Sequence, residues 1–263
     1  MIFETHAHYN DERFDDDRET LLSSMKEKGV GTIVNVGADM QGSLASIELA
    51  KKYPFMYAAV GIHPSDCGQM NQNDLKSLED MAQYEKVVAI GEIGLDYYWP
   101  EPDRLIQKEW FVKQLELAKK LHKPVIIHSR DAAKDTMDIL KEYVGRLNNV
   151  VIHCFSYSVE MAMEYIKMDF YIGVGGVLTF KNGKKLQEVV ENVPIEKILL
   201  ETDCPYMAPE PHRGTRNDSS YIIYVANKLA QIKNMDVKEV IRQTELNACK
   251  FYGVEPGNCE KLL

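Results

Sequence analysis

Short apolar runs rich in β-branched residues alternate along the chain with longer stretches in which apolar residues recur at helical spacing. Eight such runs occupy residues 1–5, 31–36, 56–61, 87–91, 124–128, 150–153, 170–174 and 198–202. Helical spacing covers 16–28, 42–52, 74–83, 105–121, 132–143, 159–167 and 184–191 between them, then 219–233 and 237–252 after the last. This alternation predicts a parallel sheet built from βα units. Element order alone admits an open doubly wound sheet or a closed barrel. Polar residues end runs spread over the whole chain, and a closed barrel brings all its strand ends to one mouth. An open sheet would gather them near one switch point, and no GxGxxG follows the first run. The expected fold is therefore α/β, a (β/α)8 TIM barrel, as a single domain over residues 1–263.

The length of 263 residues suits one complete barrel, which can bury its core without disulfides. The five cysteines, Cys67, Cys154, Cys204, Cys249 and Cys259, are odd in number and include no CxxC pair. Free thiols in a reducing compartment fit that usage. No basic-then-apolar leader opens the sequence, and no apolar stretch nears the roughly 20 residues of a membrane span. A cytoplasmic protein without membrane association or an obligate protein partner is expected. The net charge of −9 argues against nucleic-acid binding through a broad basic face. A nuclease survives that argument, because metal ions and a few arginines can supply a local positive field.

Five of the seven histidines, His6, His8, His63, His128 and His153, fall at the C-terminal ends of predicted strands. One histidine in such a place is more often a structural hydrogen-bonding residue than a ligand. Five at equivalent places are hard to explain by packing, and neutral imidazole is a common metal ligand. Glu4, His6 and His8 alternate with Thr5 and Ala7, so a side-chain period of two turns all three to one face. His6 and His8 can then grip one metal. Glu92 ends the fourth run between glycines and can bridge two cations, as two-metal hydrolases require. The plain alternative for Glu92 is a capping or salt-bridged residue at a loop start. His128 and His153 are candidate ligands for a second metal. Asp203, at the end of the eighth run, can ligate a metal and accept a proton from water. Glu201 lies deeper and suits orienting a ligand. Cys154 and Cys204 neighbour proposed ligands but are out of phase with them, and are expected to face the helical layer as spectators.

The loop after the eighth run carries Pro211-His212-Arg213-Gly214-Thr215-Arg216-Asn217-Asp218. Barrels often bind phosphate where this loop meets its helix, and the forked guanidinium of Arg213 or Arg216 suits phosphate oxygens. A solvated loop with a capping Asn or Asp explains the same residues. Arg130 lies two residues past His128, and His63, in Gly61-Ile62-His63-Pro64, can contact a phosphate or donate a proton. His122, at a helix end between Lys120 and Lys123, reads as a surface residue.

The ordered motifs E-T-H-A-H, G-I-H-P, G-E-I-G-L-D-Y, I-I-H-S-R, I-H-C-F-S, L-E-T-D-C-P-Y and P-H-R-G-x-R-N resemble those of the TatD family of metal-dependent deoxyribonucleases. That family is similar to the amidohydrolase-type barrels, and its members usually hydrolyse DNA phosphodiesters with divalent metals. The resemblance implies that His6, His8 and Asp203 hold one ion, that His128 and His153 hold a second, and that Glu92 is shared. It also implies substrate roles for His63 and the arginine loop, with Asp203, Glu92 and His63 as catalytic residues. Two divalent ions (Zn, Mg, Mn, Ni or Fe) and DNA or another phosphodiester are the implied cofactor and partner. One departure stands out: Glu4 occupies the place where the family usually has Asp, so a contact beneath His6 is expected to shift. The rival readings are an amidohydrolase or phosphoesterase acting on a small molecule with the same metal core, and a catalytically dead binding barrel. Amidohydrolases often carry a bridging lysine carbamate, whereas this chain has Glu92 on the fourth strand.

Overall fold

The structure is a computed structural model that describes residues 1–255. Eight parallel strands form one sheet in the order β1 to β8, with each strand paired to the next in sequence. They are β1 (Ile2–Ala7), β2 (Val30–Val36), β3 (Met56–Val60), β4 (Val87–Asp96), β5 (Val125–Arg130), β6 (Val150–Ile152), β7 (Tyr171–Val174) and β8 (Ile198–Leu200). The helices are α1 (Arg18–Ser23), α2 (Met40–Lys52), α3 (Gln72–Met81), α4 (Arg104–Leu121), α5 (Ala133–Lys141), α6 (Val159–Lys167), α7 (Lys184–Asn192), α8 (Ile222–Lys233) and α9 (Val237–Tyr252). No helix among the described residues is long and apolar enough to cross a membrane. Cys259 lies outside the described residues.

β1 and β8 close the barrel. The Asp203 amide donates to the His6 carbonyl at 3.0 Å, and the His8 amide donates to the Cys204 carbonyl at 2.8 Å. Glu4 seals this seam from within: its carboxyl accepts from the Thr202 amide and hydroxyl and from the His6 amide. Burial pushes that carboxyl up to about 8, against the lowering effect of the bonds from Thr202 and His6.

The strands bury both faces, so their residues sort by parity into two packing clusters. On β5, Val125 and Ile127 pack outward against the helices, while Ile126 packs inward; on β8, Ile198 and Leu200 pack outward and Leu199 inward. The inner cluster includes Phe251 and Tyr252 of α9, which pack with Phe3 and Tyr171. Tyr252 donates to the Thr5 carbonyl at 2.8 Å and tethers α9 to β1.

The eight expected strands are present, with different bounds. β4 continues to Asp96, five residues past the expected end at Gly91. α1 is shorter than residues 16–28, because the Ser24 hydroxyl takes the Leu21 carbonyl and offers the backbone a turn instead.

Candidate metal centre

β4 determines the centre. Its pairing with β5 shifts register between Ile90 and Ile93, which resets the side-chain phase. Beyond the shift, Ile93 and Leu95 face the helical core, so Glu92, Gly94 and Asp96 turn to the barrel axis. Gly94 has φ +149°, and a Cβ there would lie 1.9 Å from the His128 carbonyl oxygen. Glycine is needed for β4 and β5 to approach this closely.

Glu92 is only 4% exposed and stands among the histidines. One carboxylate oxygen lies 3.3 Å from His6 Nε2 and 3.7 Å from His8 Nε2. The other lies 2.7 Å from His128 Nδ1, 3.0 Å from His153 Nε2 and 3.9 Å from His63 Nε2. Asp203 faces the first pair, with Oδ1 3.3 Å from His8 Nε2 and 3.8 Å from His6 Nε2. β8 ends at Leu200, and Asp203 reaches the mouth from a left-handed turn at φ 57°.

The donor chemistry fits divalent cations. His8 Nδ1 lies 2.8 Å from the Val36 carbonyl, which can only accept; Nδ1 therefore carries the proton and Nε2 presents a lone pair. That lone pair points at His6 Nε2, 3.0 Å away. Converging ring nitrogens between two carboxylates suit a cation. His153 Nδ1, buried and without hydrogen-bond geometry, lies 3.4 Å from Glu201, as an outer carboxylate behind a ligand would. Among the described residues, three groups of side chains bring their ligand atoms within 4.8 Å of one another: His6, His8 and Asp203; His63, Glu92 and His128; and, deeper, His6, His153 and Glu201.

His63 differs from its neighbours. Its Nδ1 accepts from the Ser65 amide at 3.1 Å, so in the neutral ring Nε2 carries the proton and faces the cleft. Burial, aided by the nearby His128, lowers it to about 3, which keeps it a neutral donor. Burial opposes ionisation of Glu92, but the charge of His153 and bonds to His128, His153 and His6 hold it well below the usual range. Asp203 is likewise low: burial is outweighed by His8, His153 and His6. Burial, together with His153, lowers His6.

His8, His128 and His153 are raised, because carboxylate partners overcome the lowering effect of burial. Protons and cations therefore compete for these rings at pH values above the ordinary imidazole range. Metal affinity is expected to weaken as pH falls from above the ordinary imidazole range down through it, roughly tenfold per unit for each proton displaced. Chelator competition measured across that range checks this; a flat profile would remove the histidines from the ligand set.

The cleft over this centre has a volume of about 700 Å³ and is lined by His8, His63, Glu92, His128, His153 and Asp203, with Arg130, Trp99 and Tyr206 at its rim. The arginines of the loop after β8 are not brought into it. Arg216 makes a paired contact with Asp17 and donates to the Arg13 carbonyl, while Arg213 lies over the Phe180 ring. His212 stacks on Tyr221, and His122 caps α4 on the surface with a left-handed backbone.

One cleft residue carries no role in the sequence pattern, and one cysteine lies elsewhere than expected. Asp96 lines the cleft and holds His128 Nε2 at 3.0 Å. Its signal was the period of two from Glu92 through Gly94, hidden by ending the strand at Gly91. Cys154 does not face the helices: its backbone is left-handed at φ 45°, beyond the end of β6, and it lines a cavity beside His153. Burial raises its thiol to about 12, so no nucleophilic thiolate forms there near neutral pH. Cys204 is buried beside Ser219, as a spectator would be.

A parallel barrel whose mouth gathers histidines and carboxylates around one buried glutamate has the fold and site of a metal-dependent hydrolase. The model of the TatD-related DNase family matches residues 3–253. The uncharacterized metal-dependent hydrolase YabD of Bacillus subtilis is 44% identical over 254 residues, covering 97% of this chain and all of that protein. The crystal structure of YjjV, a TatD homologue of Escherichia coli K12, superposes with a TM-score of 0.91 at 30% identity, covering 97% of this chain and 98% of that one. The protein named 3'-5' ssDNA/RNA exonuclease TatD of Escherichia fergusonii is 29% identical over 260 residues, covering 96% of this chain and 99% of its own. The chain belongs to the TatD-related DNase family.

Proposed function

We propose that the protein is a cytoplasmic nuclease that hydrolyses single-stranded nucleic acid with two divalent ions, which Glu92 would help to hold. The observation that carries this reading is the division of Glu92, one oxygen toward His6 and His8 and the other toward His128 and His153. His6, His8 and Asp203 would hold one ion, and His128 and His153 the other. When bound, the ions supply positive charge to the phosphate oxygens and acidify water.

The chain's own groups do the rest. Asp203, kept ionised, takes the proton of the attacking water. His63 donates from Nε2 to a phosphate oxygen. Arg130, stacked 3.7 Å over the Tyr98 ring, brings a guanidinium to the rim. Asp96 fixes the His128 ring. Arg213 and Arg216 would join only if their loop moved, since Arg216 is held by Asp17.

Exposed aromatics support the single-stranded substrate. Trp99, 55% exposed, and Tyr206, 47% exposed, both line the cleft, and Tyr98 stands beside Trp99. Unpaired bases stack on such surfaces, each worth about 1–3 kcal/mol. Trp99→Ala is expected to lower kcat/KM on single-stranded DNA about tenfold and to change little on duplex; equal losses on both substrates would remove Trp99 from base contact. One observation favours the small-molecule reading instead. Asp11, Glu12, Asp39 and Asp66 also line the cleft and repel a polyanion.

The deciding experiment strips the metals and restores Mg, Mn or Zn. It then assays single-stranded DNA and bis-p-nitrophenyl phosphate beside a Glu92→Ala control. Metal-dependent DNA cleavage lost in the control is the expected result. Cleavage of the small ester alone would move the substrate to a small phosphodiester, and cleavage of neither would turn attention to amide substrates.

A further inference from the structure

A second cavity, of about 390 Å³, opens beside the metal centre at the ends of β6, β7 and β8. It shares His128, Arg130, His153, Asp203 and Tyr206 with the larger cleft, so a phosphate held at the centre borders both. The two spaces differ in chemistry. The cleft is lined by many acids, whereas the cavity brings Phe155, Val177, Leu186 and Met207 together beside the polar Ser156 and Thr202 and the carboxylate of Glu201.

We propose that this cavity receives the base of the chain-terminal nucleotide next to the scissile phosphate. The inference rests on the nuclease reading above and adds to it a site for one half of the substrate. A substrate at the centre must place a group on each side of its phosphate. The flat, apolar part of a nucleotide is its base, and the apolar stretch of this wall offers it a surface while polar groups stand around it. The size fits one nucleoside rather than a run of them, so the remaining chain leaves through the larger, polar cleft past Trp99.

The wall is set by the backbone. A Cβ on Gly176 would lie 1.9 Å from the Met207 carbonyl oxygen, so only glycine lets the end of β7 close against the segment after β8. The Ser129 hydroxyl, which also lines the cavity, is already bonded to Thr136 and Tyr157. The apolar stretch of the wall therefore offers the base a surface to pack on.

The test uses the metal-loaded enzyme and single-stranded oligonucleotides that are normal or abasic at the terminal position, made for each end of the chain. The wild type is expected to release a normal terminal nucleotide about tenfold or more faster, in kcat/KM, than an abasic one. Val177→Phe fills the cavity and is expected to bring that ratio down to about one. Met207→Ala removes an exposed part of the wall and is expected to give an intermediate ratio. Met207 already has φ 52°, so alanine adds no backbone strain and this variant tests the wall even if Val177→Phe does not fold. The same ratio in wild type and both variants, or a wild-type ratio near one, overturns the proposal. Failure of the wild type to cleave any oligonucleotide, while still hydrolysing bis-p-nitrophenyl phosphate, sinks the nuclease reading and the proposal with it.

Discussion

Glu92→Ala is expected to lose at least one bound ion per chain and to lower kcat/KM on single-stranded DNA by about a thousandfold, a loss of roughly 4 kcal/mol in transition-state stabilisation. The size follows from the position of the side chain. Glu92 is 4% exposed, and its carboxylate lies within 4 Å of five imidazoles. Removing it leaves those rings without the anion that balances both a proton and a cation. His128 keeps Asp96 as a partner and His8 keeps Asp203, so the fold is expected to survive. Glu92→Gln separates shape from charge: it keeps the volume and some hydrogen bonds but not the negative charge, and is expected to resemble alanine in metal content. Elemental analysis of the dialysed proteins, beside their rates at saturating metal, measures both effects. An alanine variant with full metal content and the wild-type rate would remove Glu92 from the metal site.

The sequence exposed the positions of the ligands better than it exposed how they meet. His128 and His153 are legible because each follows an apolar β-branched run, and a parallel strand carries its polar residue to the barrel mouth. The Glu92–Asp96 relation keeps the period of two, but the register shift between Ile90 and Ile93 puts it out of phase with the apolar run before it, so a strand ended at Gly91 hides it. Asp203 and Cys154 are harder still. Both follow strands that have already ended, and their left-handed backbones cancel any projection by alternation. Arg216 shows another limit, since spacing cannot reveal that Asp17, 199 positions away, claims its guanidinium.

The substitution at the start of β1 is explained by the structure more fully than by the pattern. Glu4 is expected to shift a contact beneath His6. Its carboxyl spans the closing seam to Thr202, with Oε1 taking the His6 and Thr202 amides and Oε2 the Thr202 hydroxyl. The chain length of this side chain therefore bears on how β1 meets β8, and through that seam on the spacing between His6 and Asp203.

Asp203→Asn is expected to lower kcat by about a hundred- to ten-thousandfold at saturating metal, the usual loss when a positioned general base is removed. The substitution is mild for the fold. Asparagine tolerates the left-handed backbone that Asp203 adopts at φ 57°, and the amide bond to the His6 carbonyl does not depend on the side chain. What disappears is an anion that stays ionised despite its burial, because His8, His153 and His6 surround it. A ligand role and a base role predict different patterns. As a ligand alone, Asp203 would weaken metal binding, and added metal would restore the rate. As the base, its loss leaves kcat low even when titration shows that the site is full. Rates followed against metal concentration, with occupancy measured in parallel, separate the two. A variant that reaches the wild-type kcat at high metal would leave Asp203 as a ligand and require another acceptor for the water proton.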